Sequence, residues 1–258
     1  MRLATWNVNS LGARLPRVEE WLEYARPDVL CMQETKLADA AFPSASFEAL
    51  GYESAHHGDG RWNGVAILSR VGLSEVSSGL GSEHDDQGTR LVAADCGGVR
   101  VHSVYVPNGR SLDSEHYTAK LEWLARLRAM LDESSDPTGA VAVCGDFNVA
   151  PEDRDVYDPS AFEGETHVSR PERAALSELE DWGLVDVFRR VYSEDRLFSW
   201  WDYRAGNFHK GLGMRIDLLL VTEALARTAT YALIDRNARK GSKPSDHSPV
   251  FVDFTLAP

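Results

Sequence analysis

Cysteine is scarce in this sequence. The 258 residues include three cysteines, Cys31, Cys96 and Cys144, with no C-x-x-C spacing among them. An odd number without paired spacing argues against a disulfide framework or a zinc ribbon. Cys31 and Cys144 lie inside apolar runs, so we expect both to be buried core residues.

Long hydrophobic runs and flexible linkers are also missing. No apolar stretch approaches the roughly 20 residues that span a bilayer. The N-terminal run M-R-L-A-T-W-N predicts a strand and lacks the apolar segment of a signal peptide. Hydrophobic residues make up 43% and charged residues 26% of the chain, which is typical of a globular protein. We therefore expect one globular domain over residues 1–258, monomeric, cytoplasmic and without a membrane partner.

Basic residues are outnumbered. The chain has 27 Lys and Arg against 40 Asp and Glu, a net charge of −13, which argues against a generic nucleic-acid-binding module. An enzyme that binds phosphate through a divalent metal is still compatible, because the metal supplies the positive charge. One local segment is basic, with Arg236, Arg239, Lys240 and Lys243 and no acid among them. It is either a solvated loop or a loop that contacts a phosphate backbone.

Apolar runs bounded by turn residues predict the strands. They cover 3–8, 29–33, 64–69, 90–95, 99–106, 141–148, 215–221, 230–234 and 249–254. Apolar residues three and four positions apart predict three helices. The first begins at Pro16 and ends before Pro27, the second carries Tyr117, Leu121, Leu124, Leu127 and Leu131, and the third runs from Pro171 to Gly183.

The order of these elements indicates an α/β protein. Two similar halves each combine strand-rich segments with helices, which favours two sheets packed face to face with helices outside. Connections of mixed type imply that the sheets are not purely parallel. Periodicity alone leaves a single doubly wound sheet open.

Polar residues recur where predicted strands begin or end. They are Asn7, Glu34, Tyr105, Asp146, Asn148, Asp217, Asp246 and His247. A single Asp in such a place is usually a turn residue or a cap, but eight polar positions on otherwise apolar strands favour a common site. Asp146 and Asn148, two positions apart, should point to the same side of their strand. If the strands converge, the ligands offered by Asn7, Glu34, Asp146, Asn148 and Asp246 are all oxygens, which favours Mg²⁺ or Mn²⁺ over zinc.

Eight short motifs resemble those of a known family. They are T-W-N-V-N-S at 5–10, Q-E-T-K at 33–36, N-G-V-A-I-L-S at 63–69, V-Y-V-P-N-G at 104–109, C-G-D-F-N-V-A-P at 144–151, S-W-W-D-Y-R at 199–204, M-R-I-D-L-L-L at 214–220 and K-P-S-D-H-S-P-V at 243–250. With them the chain resembles the exonuclease III type of the endonuclease/exonuclease/phosphatase superfamily over essentially its whole length. Q-E-T, G-D-F-N and S-D-H are shared across the superfamily, whereas S-W-W-D-Y-R with R-I-D-L-L-L is specific to its DNA-repair branch.

The resemblance implies a four-layered α/β/β/α sandwich of two mixed sheets flanked by helices. It implies a Mg²⁺-dependent enzyme, with Mn²⁺ as a possible substitute, that hydrolyses phosphodiesters of double-stranded DNA. Such enzymes cut 5′ to abasic sites, degrade DNA from 3′ ends as exonucleases, and remove 3′ blocking groups. The sequence does not fix the balance among these activities.

The resemblance also assigns roles by matching position. Glu34 would be the principal metal ligand, helped by Asn7 and Asp246, with Asp146, Asn148 and His247 within reach of the metal. Asp146 would orient or deprotonate the attacking water or protonate the leaving oxygen. Asn148 would hold a phosphate oxygen, and Tyr105 would act near the leaving group or the phosphate. Asp217 would join the acidic cluster, as a metal ligand or an acid–base partner, and His247 would face the phosphate. These roles agree with the chemistry of the side chains.

DNA contacts are expected outside this cluster. Adjacent tryptophans in W-W point to opposite faces, and Trp200 is expected to line a pocket for the abasic sugar. Arg90, Asn108, Arg61 and Lys210 are candidate phosphate contacts, with an ordinary surface role as the alternative. The remaining histidines are expected to be structural or on the surface, and they are His56, His57, His84, His102, His116, His167 and His209.

Two other functions compete with this interpretation. A phosphomonoesterase of the same superfamily would share Q-E-T, G-D-F-N and S-D-H but lack S-W-W-D-Y-R. A non-catalytic nucleic-acid-binding relative would have lost its acids, whereas Glu34, Asp146, Asp217 and His247 are all present. Trp62 and the glycine-rich run at 209–213 depart from the family pattern and bear on DNA handling, not on the metal site.

Overall fold

The fold is described from a computed structural model, over residues 1–81 and 88–256. His84, expected above to be structural or on the surface, lies outside these residues. The strands are β1 Arg2–Asn7, β2 Val29–Gln33, β3 Glu53–His57, β4 Val65–Ser69, β5 Ser74–Ser78, β6 Leu91–Cys96, β7 Val99–Tyr105, β8 Val141–Asp146, β9 Leu184–Asp186, β10 Asp217–Thr222, β11 Ala229–Ile234 and β12 Val250–Phe254. The α-helices are α1 Leu11–Ala25, α2 Ser44–Ala49, α3 Glu115–Ser134, α4 Arg170–Trp182, α5 Val187–Val191, α6 Asn207–Lys210 and α7 Glu223–Ala226. Within the described ranges, no helix combines the length and apolarity needed to cross a membrane.

The strands form two six-stranded sheets. The first has the order β11-β12-β1-β2-β4-β3 and the second β5-β6-β7-β8-β10-β9. Each contains one parallel pair, β1–β2 or β7–β8, with antiparallel neighbours on both sides. The helix that connects each parallel pair, α1 or α3, packs on the outer face of its sheet. The two halves therefore share one local topology.

Three apolar layers hold the sandwich together. The central layer lies between the sheets and joins residues such as Cys31 and Val252 of the first sheet to Val101 and Cys144 of the second. One outer layer packs α1 on the first sheet, and the other packs α3 and α4 on the second. The predicted α/β/β/α sandwich is confirmed, as is the burial of Cys31 and Cys144.

The predicted start of the first helix is wrong. Helix α1 begins at Leu11, so Pro16 is inside it. Leu11 is fully buried and its N–H donates to the carbonyl of Thr35 at 3.0 Å, which fixes a first turn well before the proline. Pro16 lacks the N–H that would bond the carbonyl of Gly12, so the helix continues through it without that hydrogen bond.

The predicted strand 141–148 is too long. Strand β8 ends at Asp146, and Asn148 adopts a left-handed φ of 51°. The N–H of Asn148 donates to Asp146 Oδ1 at 2.9 Å, so a tight turn replaces the alternation on which the prediction depended. No sequence pattern predicted β3, β5 or β9, because these edge strands are short or exposed and lack an apolar alternation.

Candidate active site at the strand ends

The central strands of both sheets bring their polar ends to one edge of the sandwich. Asn7 ends β1, and Glu34 follows β2. In the second sheet, Tyr105 lies opposite Asp146 in the parallel β7–β8 register, and Asp146 lies opposite Asp217 in the antiparallel β8–β10 register. Strand direction therefore explains why residues far apart in sequence meet.

Asn7 joins the two sheets within this cluster. Its Nδ2 donates to Glu34 Oε1 at 2.8 Å and to Asp146 Oδ2 at 2.9 Å, and it is fully buried. Its Oδ1 accepts the N–H of Asn9 at 2.9 Å. The side-chain amide thus fixes the spacing of two carboxylates, while its expected role as a metal ligand stays a prediction.

Glu34 is held as a charged carboxylate. It has a left-handed φ of 53°, and its Oε2 lies 2.9 Å from Lys36 Nζ. Burial raises the pKa of Glu34, but Lys36 and the hydrogen bond from Asn7 more than offset burial, and the net pKa lies below its ordinary value. An ionised carboxylate of this kind is suited to bind a cation.

Asp146 has the opposite electrostatic environment. It is 2% exposed, and burial with Asp217 and Glu34 nearby raises its pKa to about 7, against the lowering effects of His247 and Asn7. A carboxyl with a pKa near neutrality can both take and return a proton. This shift fits the acid–base role expected for Asp146.

His247 forms an acid–imidazole pair with Asp217. Its Nδ1 lies 2.8 Å from Asp217 Oδ2, which also accepts the hydroxyl of Ser199 at 2.6 Å. Burial lowers the pKa of His247, but Asp217 and Asp146 more than offset burial and raise it to about 10. The imidazolium therefore directs Nε2, 3.8 Å from Asp146 Oδ2, into the cluster as a donor.

Glu34, Asp146 and His247 form a group whose ligand atoms lie within 4.8 Å of one another and could hold a metal ion. The carboxylate oxygens of Glu34 and Asp146 are donors that fit a hard divalent ion, and the ligand role expected for His247 stays a prediction. Asp246 is held at the edge of this group. Its Oδ1 accepts Asn9 Nδ2 at 3.0 Å, and its Oδ2 accepts Trp200 Nε1 at 3.1 Å.

Hydrogen bonds hold the side-chain amide of Asn148 at both its nitrogen and its oxygen. Its Nδ2 donates to the carbonyl of Val106 at 3.0 Å, and its Oδ1 accepts Asn108 Nδ2 at 3.1 Å, so the amide orientation is fixed. Its backbone carbonyl accepts Lys120 Nζ at 2.7 Å and lies 2.5 Å from His167 Nδ1. A side-chain amide nitrogen carries a second N–H, and the phosphate-binding role expected for Asn148 stays a prediction.

Sequence reasoning missed both partners of the Asn148 carbonyl. His167 was placed among the structural or surface histidines. Lys120 had a detectable signal, because it lies three residues after Tyr117 and four before Leu124 on the apolar stripe of α3. It is fully buried there, and a charge on a buried stripe is uncommon unless it is paired.

A groove opens beside Tyr105. It is lined by Trp62, Asn63, Arg90, Tyr105, Pro107, Asn108, Gly109, Arg110 and His116. The guanidinium of Arg90 lies 4.7 Å from the Tyr105 ring centre, and Trp62 is 74% exposed. Burial, Glu34 and Asp146 raise the pKa of Tyr105, so its phenol is a proton donor. Two predicted phosphate contacts, Arg90 and Asn108, thus lie next to the cluster.

The W-W pair lies on the other side of the cluster. Trp201 is fully buried, whereas Trp200 is partly exposed with its ring centre 6.5 Å from that of His247. The predicted division of the two indoles is confirmed. Arg239 packs its guanidinium 5.4 Å from the Trp201 ring centre, which anchors the basic loop. Arg61 and Lys210 are exposed and lie outside the groove and the cluster.

Comparison with known proteins agrees with this geometry. Residues 4–247 match the model of the Endonuclease/Exonuclease/phosphatase family. Exodeoxyribonuclease III of Haemophilus influenzae is 34% identical over 98% of this chain and 100% of its own length. An AP endonuclease from Archaeoglobus fulgidus is 40% identical, with a TM-score of 0.96 over 99% of this chain and 100% of its own. A variant of the 3′ phosphatase NExo from Neisseria, bound to a product DNA hairpin, is 40% identical with a TM-score of 0.95 over the same shares. The chain belongs to the exodeoxyribonuclease III type of the endonuclease/exonuclease/phosphatase family.

Proposed function

We propose that this protein is a divalent-metal-dependent DNA repair nuclease. It hydrolyses phosphodiesters of duplex DNA at 3′ ends, as a 3′-to-5′ exonuclease that also removes 3′ blocking groups, and cuts 5′ to abasic sites. The observation that carries the proposal is the pair of carboxylates, Glu34 and Asp146, held 2.8 and 2.9 Å from one amide beside the Asp217–His247 pair. The relatives include an exodeoxyribonuclease, an AP endonuclease and a 3′ phosphatase.

The residues divide the reaction among themselves. Asp146, with its raised pKa, accepts the proton of the attacking water. His247 and the free N–H of Asn148 donate to the phosphate oxygens and stabilise the charge that develops there. Tyr105 lies near the leaving group and can protonate it. Asp217 keeps the imidazolium oriented and charged.

Glu34 would be the principal ligand of the metal, with Asn7, Asp246 and Asp146 as further candidates. Mg²⁺ is the proposed ion, because the fitting donors are carboxylate oxygens, and Mn²⁺ can replace it. When bound, this ion polarises the phosphate and supplies positive charge that a chain of net charge −13 lacks. Lys36, 2.9 Å from Glu34, adds a fixed positive charge on the same side.

Duplex DNA would cross the edge of the sandwich from the groove to Trp200. Arg90, Asn108 and Trp62 contact the strand on the groove side. Trp200 packs against the sugar at the opposite side, and the loop 236–243 contacts the phosphate backbone. Arg61 and Lys210 are more distant phosphate contacts. The protein acts as a monomer with one catalytic domain, on chromosomal DNA in the cytoplasm.

Three labelled duplexes test this function. One carries an abasic site, one an intact recessed 3′ end, and one a 3′-terminal phosphate, each incubated with Mg²⁺, Mn²⁺ or EDTA. We expect metal-dependent cleavage 5′ to the lesion, shortening of the recessed end and release of phosphate. If no duplex reacts with either ion, the proposal fails. If one duplex reacts and another does not, the measurement shows which of the three activities the protein has.

A further inference from the structure

A buried ion pair lies directly behind Asn148. Lys120 on α3 and Glu172 in the first turn of α4 are both fully buried, and Lys120 Nζ lies 2.5 Å from Glu172 Oε1. Both charges pay the cost of leaving water, and such pairs can often be replaced by apolar residues without loss of stability. Stability alone therefore gives little reason for a charge at this place.

The ammonium group of Lys120 connects loops of the active site. Besides Glu172, Nζ donates to the carbonyl of Asn148 at 2.7 Å and to the carbonyl of Asn108 at 3.3 Å. It also lies 3.5 Å from Thr166 Oγ1. These oxygens belong to the loops after β7, after β8 and before α4. The three N–H donors of the ammonium group suffice for Glu172 and for the carbonyls of Asn148 and Asn108, which links α4 to the loops after β7 and β8.

Glu172 ties down the third of these loops. Its Oε1 accepts Thr166 Oγ1 at 2.7 Å and the N–H of His167 at 2.9 Å, and its Oε2 accepts Ser169 Oγ at 2.6 Å. His167 in turn contacts the Asn148 carbonyl. The carbonyl of Asn148 is therefore held directly by Lys120 and indirectly, through His167, by Glu172.

We infer that Lys120, supported by Glu172, is a positioning residue that holds Asn148 in its left-handed backbone conformation, with one side-chain N–H directed at the scissile phosphate. Lys120 has no exposed surface, so it acts through Asn148 and does not touch the substrate. Asn108, whose amide orients the Asn148 side chain, is held by the same ammonium group. This inference rests on the phosphate-binding role of Asn148 in the proposed function.

Steady-state kinetics on the reactive duplex test the inference with Lys120→Met and Glu172→Gln. We expect Lys120→Met to lower kcat by about 10- to 100-fold, the range for removal of a group that orients a directly acting residue. KM should change little, because the lost interaction stabilises the transition state. Glu172→Gln should give a smaller loss in the same direction. The matched control is Leu131→Ala on the same helix α3, which is fully buried and remote from the strand ends. It should lower Tm and leave kcat unchanged well below Tm.

A double-mutant cycle separates positioning from folding. In the Asn148→Ala background, Lys120→Met should cost much less than in the wild type, because its effect passes through Asn148. Equal losses in both backgrounds, or an unchanged kcat in a folded Lys120→Met protein, would overturn the inference. If Lys120→Met does not fold, the same cycle is run with Glu172→Gln.

A crystal structure of Lys120→Met, or of Glu172→Gln if Lys120→Met does not fold, tests the inference without an activity measurement. A displaced backbone at Asn148 supports the positioning role, and an unchanged backbone contradicts it. A wild-type protein that cleaves none of the duplexes defeats the proposed function, whereas this structural result still decides whether Lys120 positions Asn148.

Discussion

The two sheets place one carboxylate each at corresponding strand ends, yet they give them different surroundings. Glu34 follows β2 in the parallel pair β1–β2, and Asp146 ends β8 in the parallel pair β7–β8. Lys36 and Asn7 more than offset burial at Glu34 and lower its pKa. At Asp146, burial and the acids Asp217 and Glu34 prevail and raise its pKa to about 7.

This difference teaches how a repeated topology yields two chemical roles. Strand order brings a carboxylate to each end, but burial and the charged residues around each carboxylate set its charge state. The first sheet adds a lysine two positions after its acid, and the second adds a further acid on the neighbouring strand β10. The result is one carboxylate with a lowered pKa, which suits the proposed cation, and one with a pKa near neutrality, which suits the proposed proton exchange.

The largest expected effect comes from removing the proton-exchanging carboxylate. Asp146→Ala should lower kcat by about 10²- to 10⁴-fold, the range for loss of a general acid–base group. DNA affinity should persist, because the groove side chains are untouched. Single-turnover rates and a gel-shift titration measure the two quantities. A variant with wild-type turnover would remove Asp146 from the mechanism and leave the comparison of the two carboxylates without chemical meaning.

The charged carboxylate should matter first for metal affinity. Glu34→Gln keeps the shape of the side chain but removes its charge. Mn²⁺ binding without DNA, followed by electron paramagnetic resonance, should weaken at least about 100-fold, because removing even an orienting partner of a ligand costs 10- to 100-fold. Thr35→Val is the control. Thr35 is adjacent to Glu34, and this substitution removes the hydrogen bond from Thr35 to His56 but keeps the Glu34 carboxylate. Equal Mn²⁺ affinity in Glu34→Gln and wild type would contradict the ligand role.

The sequence predicted the members of this site better than their local geometry. Apolar strands ending in polar residues were enough to select Glu34, Asp146, Asp217 and His247, because strand direction brings such ends together. The left-handed turn at Asn148 was not predictable from alternation, since it depends on a hydrogen bond from its own N–H to Asp146. Lys120 was missed because a lysine on a helix is ordinarily exposed, and only the packing of α3 against α4 buries it.

The outer face of the second sheet carries a buried histidine. His102 on β7 is 1% exposed, and neither ring nitrogen has a hydrogen-bond partner among the described residues. Burial lowers its pKa from 6.5 to about 3. The folded protein therefore keeps His102 neutral where the unfolded chain binds a proton. Its contribution to stability is complete above about pH 6.5 and is lost as pH falls toward about 3.

Replacing this side chain should make the sandwich less sensitive to acid. Between pH 8 and pH 5, the free energy of unfolding of the wild type should fall by about 2 kcal/mol more than that of His102→Leu. The reason is that each pH unit below 6.5 costs about 1.4 kcal/mol, and pH 5 lies 1.5 units below that value. Urea unfolding at pH 5 and pH 8 measures the difference. His116→Leu serves as the control, because His116 is exposed. The same acid sensitivity in His102→Leu and wild type would show that His102 is not the source.

The smallest expected effect concerns substrate choice at Trp200, which connects the two halves. Its backbone pairs with Met214, which precedes β10 of the second sheet, and with His247, which precedes β12 of the first. If its indole packs against a sugar without a base, Trp200→Ala should lose about five- to tenfold more activity on the abasic duplex than on the recessed 3′ end, in line with one lost aromatic contact. Trp200→Phe keeps a ring but loses the hydrogen bond to Asp246, so it separates ring packing from that bond. Equal losses of Trp200→Ala on both duplexes would confine the indole to supporting Asp246, and selection of the substrate would then have to come from the groove beside Tyr105.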